Sequence, residues 1–124
     1  MSFINFVYAA YRDKLPENGV IGRGYGLQSP NKRVQLNLTF EGNLELIGDG
    51  SKLWSVDGKD ISFVKMQGDG NCVGYKIDST PVWATVTNGP KHPYNLICQD
   101  DGNLVLYAKD NNPVWATNTN GKIN

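Results

Sequence analysis

The sequence contains little that suggests catalysis, membrane insertion or binding of a polyanion. Its 124 residues include twelve Lys and Arg against twelve Asp and Glu, with one histidine and two cysteines. Surfaces that bind nucleic acid or anionic lipid normally carry an excess of basic residues, and a membrane span needs roughly 18 consecutive apolar residues. The sequence has neither feature, so we expect no nucleic-acid partner and no membrane insertion.

A secretory signal peptide is not evident in the first residues either. No basic residue precedes Arg12, and Asn5 interrupts the first apolar stretch. We interpret Phe3–Tyr11 as a strand or arm that docks aromatic side chains onto the domain. We expect a protein that is cytoplasmic or exported without a recognisable signal. The triplet Asn37-Leu38-Thr39 matches a glycosylation sequon, but we interpret it as an ordinary strand segment.

Turn-forming residues are abundant instead, with 14 glycines and 14 asparagines. Both types tolerate positive φ, so this excess predicts many short strands joined by tight turns. The length and a hydrophobic content of 40% are typical of one domain with its own core. The composition therefore favours a single all-β domain.

The sequence also repeats itself. The segment MQGDGNCVGYKIDSTPVWATVTNG, from Met66, aligns without a gap to CQDDGNLVLYAKDNNPVWATNTNG, from Cys98, at an offset of 32 residues. A weaker copy, LTFEGNLELIGDGSKLWSVDG, begins at Leu38. Such arrays reuse one supersecondary unit that is too small to bury its own apolar face. We divide the domain into an arm of about residues 1–13 and repeats of about 14–58, 59–90 and 91–124.

Within each copy the side chains alternate with a period of two. In QDDGNLVLY this places five side chains on one face of a single extended strand and Leu104 and Leu106 on the core-facing side. A turn and a returning strand, Val114–Ala116, complete a small antiparallel unit. Trp54, Trp83 and Trp115 recur at equivalent places, so we expect them to meet around a pseudo-threefold axis and to supply much of the core.

The outward-facing side chains form a row of short polar groups that recurs in two copies. Carboxylates accept hydrogen bonds, amides both donate and accept, and a tyrosine hydroxyl does either. This combination suits the neighbouring hydroxyls of a sugar ring and does not suit phosphate, which requires cationic groups or backbone N–H donors. We name the rows by their first member: the Gln67 row is Gln67, Asp69, Asn71, Val73 and Tyr75, and the Gln99 row is Gln99, Asp101, Asn103, Val105 and Tyr107.

The two rows resemble the Gln-x-Asp-x-Asn-x-Val-x-Tyr motif of the bulb-type, or monocot mannose-binding, lectins. The similarity extends to GYGLQSPNKRVQLNL near the start and PVWATNTNG near the end, covering roughly residues 15–121. The resemblance implies a β-prism II fold of three four-stranded antiparallel sheets with pseudo-threefold symmetry. It also implies a mannose-binding protein that needs neither metal nor cofactor and pairs as a homodimer, with the C-terminal residues 117–124 as candidates for strand exchange.

The family's roles carry over residue by residue onto the two rows. Gln67 and Gln99 would bond the mannose 3-hydroxyl, and Tyr75 and Tyr107 the 4-hydroxyl. Each Asp and Asn pair, Asp69 with Asn71 and Asp101 with Asn103, would share the axial 2-hydroxyl. Val73 and Val105 would pack on the ring carbons. The 2-hydroxyl of glucose is equatorial and would leave both polar groups unpaired, which favours mannose.

The first copy departs from this motif. Its equivalent positions, which we name the Thr39 row, are Thr39, Glu41, Asn43, Glu45 and Ile47, so only the asparagine is kept. We predict that this row does not bind mannose in the family's manner and serves an interface or simple solvation. Cys72 and Cys98 have core-facing parity and lie where the family does not place its disulfide. We interpret them as buried free thiols rather than a bridge.

An enzyme and a calcium-binding protein are weaker interpretations. The single histidine, His92, lies in the turn-like GPKHP with no repeated nucleophile beside it, so we expect a satisfied or exposed side chain rather than a catalytic base. The Asp pairs in GDGN and DDGN do not have the twelve-residue spacing of a calcium loop. An antimicrobial or protein-interaction module on the same fold, with sugar binding secondary, stays open as the alternative.

Overall fold

Residues 5–123 are described by the computed structural model, and they form twelve short β-strands with a single turn of 3₁₀ helix, Lys109–Asn111. Residues 1–4 of the expected arm lie outside the described part. The strands are β1 Lys14–Pro16, β2 Val20–Gly22, β3 Gly26–Gln28, β4 Val34–Leu38, β5 Leu44–Gly48, β6 Ser51–Val56, β7 Phe63–Met66, β8 Cys72–Tyr75, β9 Pro81–Ala84, β10 Asn95–Cys98, β11 Leu104–Ala108 and β12 Asn112–Ala116. No helix among residues 5–123 is long and apolar enough to cross a membrane.

The strands form three four-stranded antiparallel sheets, as the resemblance predicts. Sheet I has the order β3-β4-β5-β6, sheet II the order β2-β7-β8-β9 and sheet III the order β1-β10-β11-β12. Each sheet takes three consecutive strands from one sequence copy and its outer strand from residues 14–28. The outer strands are therefore distributed over the whole molecule, although they follow one another directly in the sequence.

Alternating side chains fill the space between the sheets. In β4 and β5 the core-facing leucines Leu36, Leu38, Leu44 and Leu46 are completely buried. Leu104 and Leu106 of β11 are buried as predicted, and burial of leucine side chains provides about 1.5–3 kcal/mol each. The core that closes the fold is thus mainly aliphatic.

The three tryptophans meet as predicted. The ring centroids of Trp54, Trp83 and Trp115 are separated by 5.7 to 5.9 Å, and each pair adopts an edge-to-face arrangement. The expectation that they supply much of the core needs correction, because all three are only partly buried and pack against the buried aliphatic cluster. The tryptophans close the pseudo-threefold axis, whereas leucines fill the core.

The two cysteines are free and buried, which confirms their interpretation as thiols. Burial raises the pKa of the Cys72 thiol to about 12. Burial also raises the pKa of Cys98 to about 12, with a smaller contribution from the charges of Asp13 and Asp100. Asn37 of the sequon is 9% exposed within β4, in agreement with its interpretation as part of a strand.

Candidate carbohydrate site

The polar rows do not lie along single extended strands, contrary to the prediction from the period of two. In the Gln67 row the chain turns between β7 and β8, where Gly70 N–H donates to Gln67 O at 3.1 Å and Gln67 N–H donates to Asn71 O at 2.9 Å. Gly70 has a φ of +92°, which is accessible to glycine at no steric cost. A tight turn has replaced the first half of the expected strand because the glycine allows the chain to reverse there.

The same turn occurs in the other two copies. Gly42 and Gly102 have φ values of +85° and +94° and donate to the carbonyls of Thr39 and Gln99. The alternation in sequence therefore survives although the backbone bends, and the first two members of each row lie in the turn while the last two lie on β5, β8 or β11.

Hydrogen bonds within the turn bring the side chains of the Gln67 row together. Asp69 Oδ1 accepts the backbone N–H of Asn71 at 2.9 Å, a local contact that favours the turn. Gln67 Nε2 lies 3.2 Å from both carboxylate oxygens of Asp69. The Tyr75 hydroxyl donates to Gln67 Oε1. The polar members thus form one connected surface along the turn and β8.

The Gln99 row has the same network, residue for residue. Asp101 Oδ1 accepts Asn103 N–H at 2.9 Å, and Gln99 Nε2 lies 3.2 Å from both oxygens of Asp101. The Tyr107 hydroxyl donates to Gln99 Oε1. The structure therefore brings together all the polar side chains that the sequence analysis selected, in two equivalent constellations.

The two motif valines lie beneath the polar groups. Val73 and Val105 are each 4% exposed, so they form the floor of the rows and offer a ligand little apolar surface in this arrangement. Phe63 of β7 stacks on Tyr75 with a ring-centroid distance of 5.0 Å, whereas Asn95 is paired with Tyr107 in sheet III. The surroundings of the two rows therefore differ although their internal bonds agree.

The threonines that hold each motif asparagine were not identified in the sequence analysis. Asn71 Oδ1 accepts Val86 N–H at 2.8 Å and two longer contacts at 3.3 Å, from Thr85 Oγ1 and Thr87 N–H. Asn103 Oδ1 accepts Thr117 Oγ1 at 3.0 Å and Thr119 N–H at 3.3 Å. In the sequence, the repeated segments ATVT (residues 84–87) and ATNT (residues 116–119) indicate that these threonines recur with the motif. Since each carbonyl oxygen is occupied, the amide NH₂ group is the part of asparagine left to face a ligand.

The Thr39 row lacks this constellation. Thr39 Oγ1 accepts the backbone N–H of Asn43 at 3.0 Å, a contact that the aspartate makes in the other rows. Glu45 forms an ion pair with Lys52 at 3.4 Å at the position of the buried valine. Ile47 stands in the place of the tyrosine and has no hydroxyl. The prediction that this row does not bind mannose in the same manner rests on these replacements.

No cluster suited to a metal is found in the described part of the chain, residues 5–123, where no group of three or more His, Cys, Asp or Glu side chains is placed to hold an ion. The single histidine is engaged elsewhere: its Nδ1 lies 2.6 Å from Glu17 Oε1, and its side chain is 44% exposed. This agrees with its interpretation as a satisfied, exposed side chain.

No family model matches the sequence, and no curated protein sequence matches it. Among solved structures, a Japanese Marasmius oreades lectin is 62% identical with a TM-score of 0.90, covering 92% of this chain and 96% of that chain. Monomeric monocot mannose-binding lectins from Gastrodia elata are 33% identical with a TM-score of 0.78, covering 87% and 98%. The mannose-specific agglutinin from snowdrop (Galanthus nivalis) bulbs, complexed with methyl-α-D-mannoside, is 30% identical with a TM-score of 0.71, covering 86% and 96%.

Proposed function

Because the chain belongs to the family of bulb-type mannose-binding lectins, we propose that it binds mannose and mannose-rich glycans through the Gln67 and Gln99 rows, without a metal. The observation that carries the proposal is the identity of the two hydrogen-bond networks, from the Asp-capped turn to the Tyr–Gln bond. A face that is only solvated does not require the same arrangement of five side chains in two copies of the repeat. A repeated binding site does.

The free hydrogen-bonding capacity of each row suits the axial 2-hydroxyl of mannose. Asp69 accepts a hydrogen bond from such a hydroxyl, and the Asn71 amide donates one to the same oxygen because its own carbonyl is held by Val86 N–H. The Gln67 amide and the Tyr75 hydroxyl then face the 3- and 4-hydroxyls, as the resemblance implies. An equatorial 2-hydroxyl leaves a carboxylate and an amide without a partner, which disfavours glucose.

A single row is a weak site. Four or five hydrogen bonds at about 0.5–1.5 kcal/mol each total roughly 4 kcal/mol, so a single row binds no more tightly than about millimolar once the cost of association is included. Two rows in one chain gain affinity for a branched glycan through effective concentration.

The homodimer stays a prediction of the resemblance. Residues 117–124, which follow β12, remain the candidates for strand exchange, and the molar mass in solution tests for the dimer.

Isosteric replacement of the two aspartates tests the proposal. Asp69→Asn and Asp101→Asn keep an oxygen for the backbone N–H of the turn and remove the charge that accepts the sugar hydroxyl. Hydrogen bonds to charged groups contribute about 1.5–3 kcal/mol, so each substitution should weaken mannoside binding at its own row about ten- to hundredfold. The double variant should lose binding to a mannan surface while keeping the melting temperature within a few degrees.

Glu41→Gln is the matched control. It makes the same change from carboxylate to amide at the equivalent, exposed position of the Thr39 row, and we expect mannan binding to be unchanged. Binding by the wild-type protein should also persist in a chelator. Unchanged mannan binding by the folded double aspartate variant would refute the assignment of the rows, and loss of binding in the chelator would refute metal independence.

A further inference from the structure

Residues 7–13 of the arm run along the outer edge of sheet I. Val7 N–H donates to Gly24 O at 3.0 Å, Gly26 N–H donates to Val7 O at 3.1 Å, and Gln28 N–H donates to Arg12 O at 2.8 Å. A depression lies on each side of this segment. Neither depression is lined by a side chain of the Gln67 or Gln99 row, so the arm adds surface that the motif does not include.

The larger depression, which we name the arm groove, has a volume of about 600 Å³. Its polar lining includes Tyr8, Arg12, Asp13, Gln28 and Lys32. Pockets for small molecules typically occupy about 300–1,000 Å³, so the groove is large enough for one or more sugar residues.

The walls of the arm groove are bonded to the residues on either side of Gln99. On one wall, Asp13 O accepts the backbone N–H of Cys98 at 2.9 Å. On the other wall, Asn31 N–H donates to Asp100 Oδ1 at 2.8 Å, and Asn31 lies between the lining residues Pro30 and Lys32. The groove therefore adjoins the turn that carries the first member of the Gln99 row.

The side chains of the arm groove suit a neutral ligand with many hydroxyls. Arg12 and Lys32 provide donors, Asp13 provides an acceptor, and Gln28 provides both. Because Asp13 lies among Arg12 and Lys32, the groove lacks the strong positive field that a phosphorylated ligand would require. Neither Arg12 nor Lys32 forms an ion pair with another residue in the range 5–123, so their donors are available.

The other depression does not provide the Gln67 row with a comparable polar groove. That cleft, of about 210 Å³, is lined by Val7, Ala10, Tyr11, Val20 and Tyr25 among others. Val20 pairs with Lys65, which in turn pairs with Val73 of the Gln67 row. The arm thus places an apolar surface towards one row and a polar groove towards the other.

We propose that the arm groove binds the sugar residue adjoining a mannose held by the Gln99 row, so that this row prefers a neutral mannose oligosaccharide over a single mannose and the Gln67 row does not. The inference rests on the proposed function, because the oligosaccharide is anchored by the motif. It assigns the arm a role in ligand choice in addition to its contacts with sheet I.

Blocking the groove in single-row variants tests the inference. Asp69→Asn leaves only the Gln99 row active, and Ala9→Trp then places a bulky ring in the arm groove from an exposed position. Ala10→Trp is the matched control, since Ala10 is also exposed but lines the apolar cleft. Calorimetric titration with methyl α-mannoside and with a linear mannotriose gives the affinity for one sugar and for three.

In the Asp69→Asn background we expect mannotriose to bind about tenfold more tightly than methyl mannoside, as one or two added hydrogen bonds would produce. Ala9→Trp should abolish this preference and leave methyl mannoside binding unchanged, and Ala10→Trp should alter neither affinity. In the Asp101→Asn background Ala9→Trp should have no effect. If Ala9→Trp fails to fold, Gln28→Leu, which removes one amide from the lining, should reduce the same preference.

Two negative results are distinguishable. Equal affinities for the two sugars in the Asp69→Asn variant, or a preference that survives both groove substitutions, would overturn the role of the groove while leaving mannose binding intact. Failure of the folded wild-type protein to bind any mannoside would overturn the proposed function and this inference together.

Discussion

Val86 occupies a strained backbone position, and replacing it by asparagine should stabilise the protein. Its φ is +57°, in the left-handed region that β-branched residues rarely adopt. Its side chain is 79% exposed, so little apolar burial offsets the strain. The position is maintained by Val86 N–H, which donates to Asn71 Oδ1 at 2.8 Å, and asparagine would keep this backbone donor.

The third copy provides the internal comparison for this substitution. At the offset of 32 residues the equivalent of Val86 is Asn118, whose φ is +58°. Left-handed backbone costs an L-residue roughly 1–2 kcal/mol, and asparagine is enriched there because its short polar side chain bonds locally. We therefore expect Val86→Asn to raise the free energy of unfolding by about 1 kcal/mol, which corresponds to an increase of about 3–6 °C in Tm for a domain of this size.

Differential scanning calorimetry of paired variants measures the effect. Val86→Asn should raise Tm, and the reverse change in the third copy, Asn118→Val, should lower it by a similar amount. A lower Tm for Val86→Asn, or an unchanged Tm for both variants, would refute the argument that the left-handed conformation is costly for valine here.

Two further predictions concern titratable groups. The hydrogen bond from His92, together with that from Tyr94 N–H, lowers the pKa of Glu17 below its usual 4.5. A lowered pKa in the folded state gives stability that is present above pH 4.5 and is lost as the pH falls through the folded-state pKa. The wild type should therefore have a higher Tm than Glu17→Gln near neutral pH, and the difference should shrink as the pH falls below 4.5, whereas a constant difference would contradict this linkage. Burial raises the pKa of Cys72 and Cys98 to about 12, and only the thiolate form of cysteine is reactive. Ellman's reagent near neutral pH should therefore detect no thiol in the native protein and two thiols after denaturation. Rapid labelling of the native protein would contradict the burial of the two cysteines.

The period of two and the internal repeat were sufficient to predict a small antiparallel unit used three times and the members of each polar row, whereas the three four-stranded sheets were predicted from the resemblance. Leu104 and Leu106 are buried, and Val105 and Tyr107 alternate with them along β11, because side-chain direction in a strand depends only on parity. The same parity argument failed for Gln99 and Asp101. They lie in a turn closed by Gly102, and a single strand is not distinguishable from a short hairpin by alternation alone.

The sequence by itself determined the repeated unit, the polar rows and the meeting of the tryptophans, since these follow from local periodicity repeated at a constant offset. Only the tertiary structure decided where β1, β2 and β3 pair, because they lie close together in sequence and join three different sheets through non-local hydrogen bonds. It also decided that the arm runs beside β3 and forms a groove whose walls are hydrogen-bonded to Cys98 and Asp100. Such contacts between segments far apart in sequence carry no periodic signal, so their geometry becomes evident only when the chain is folded.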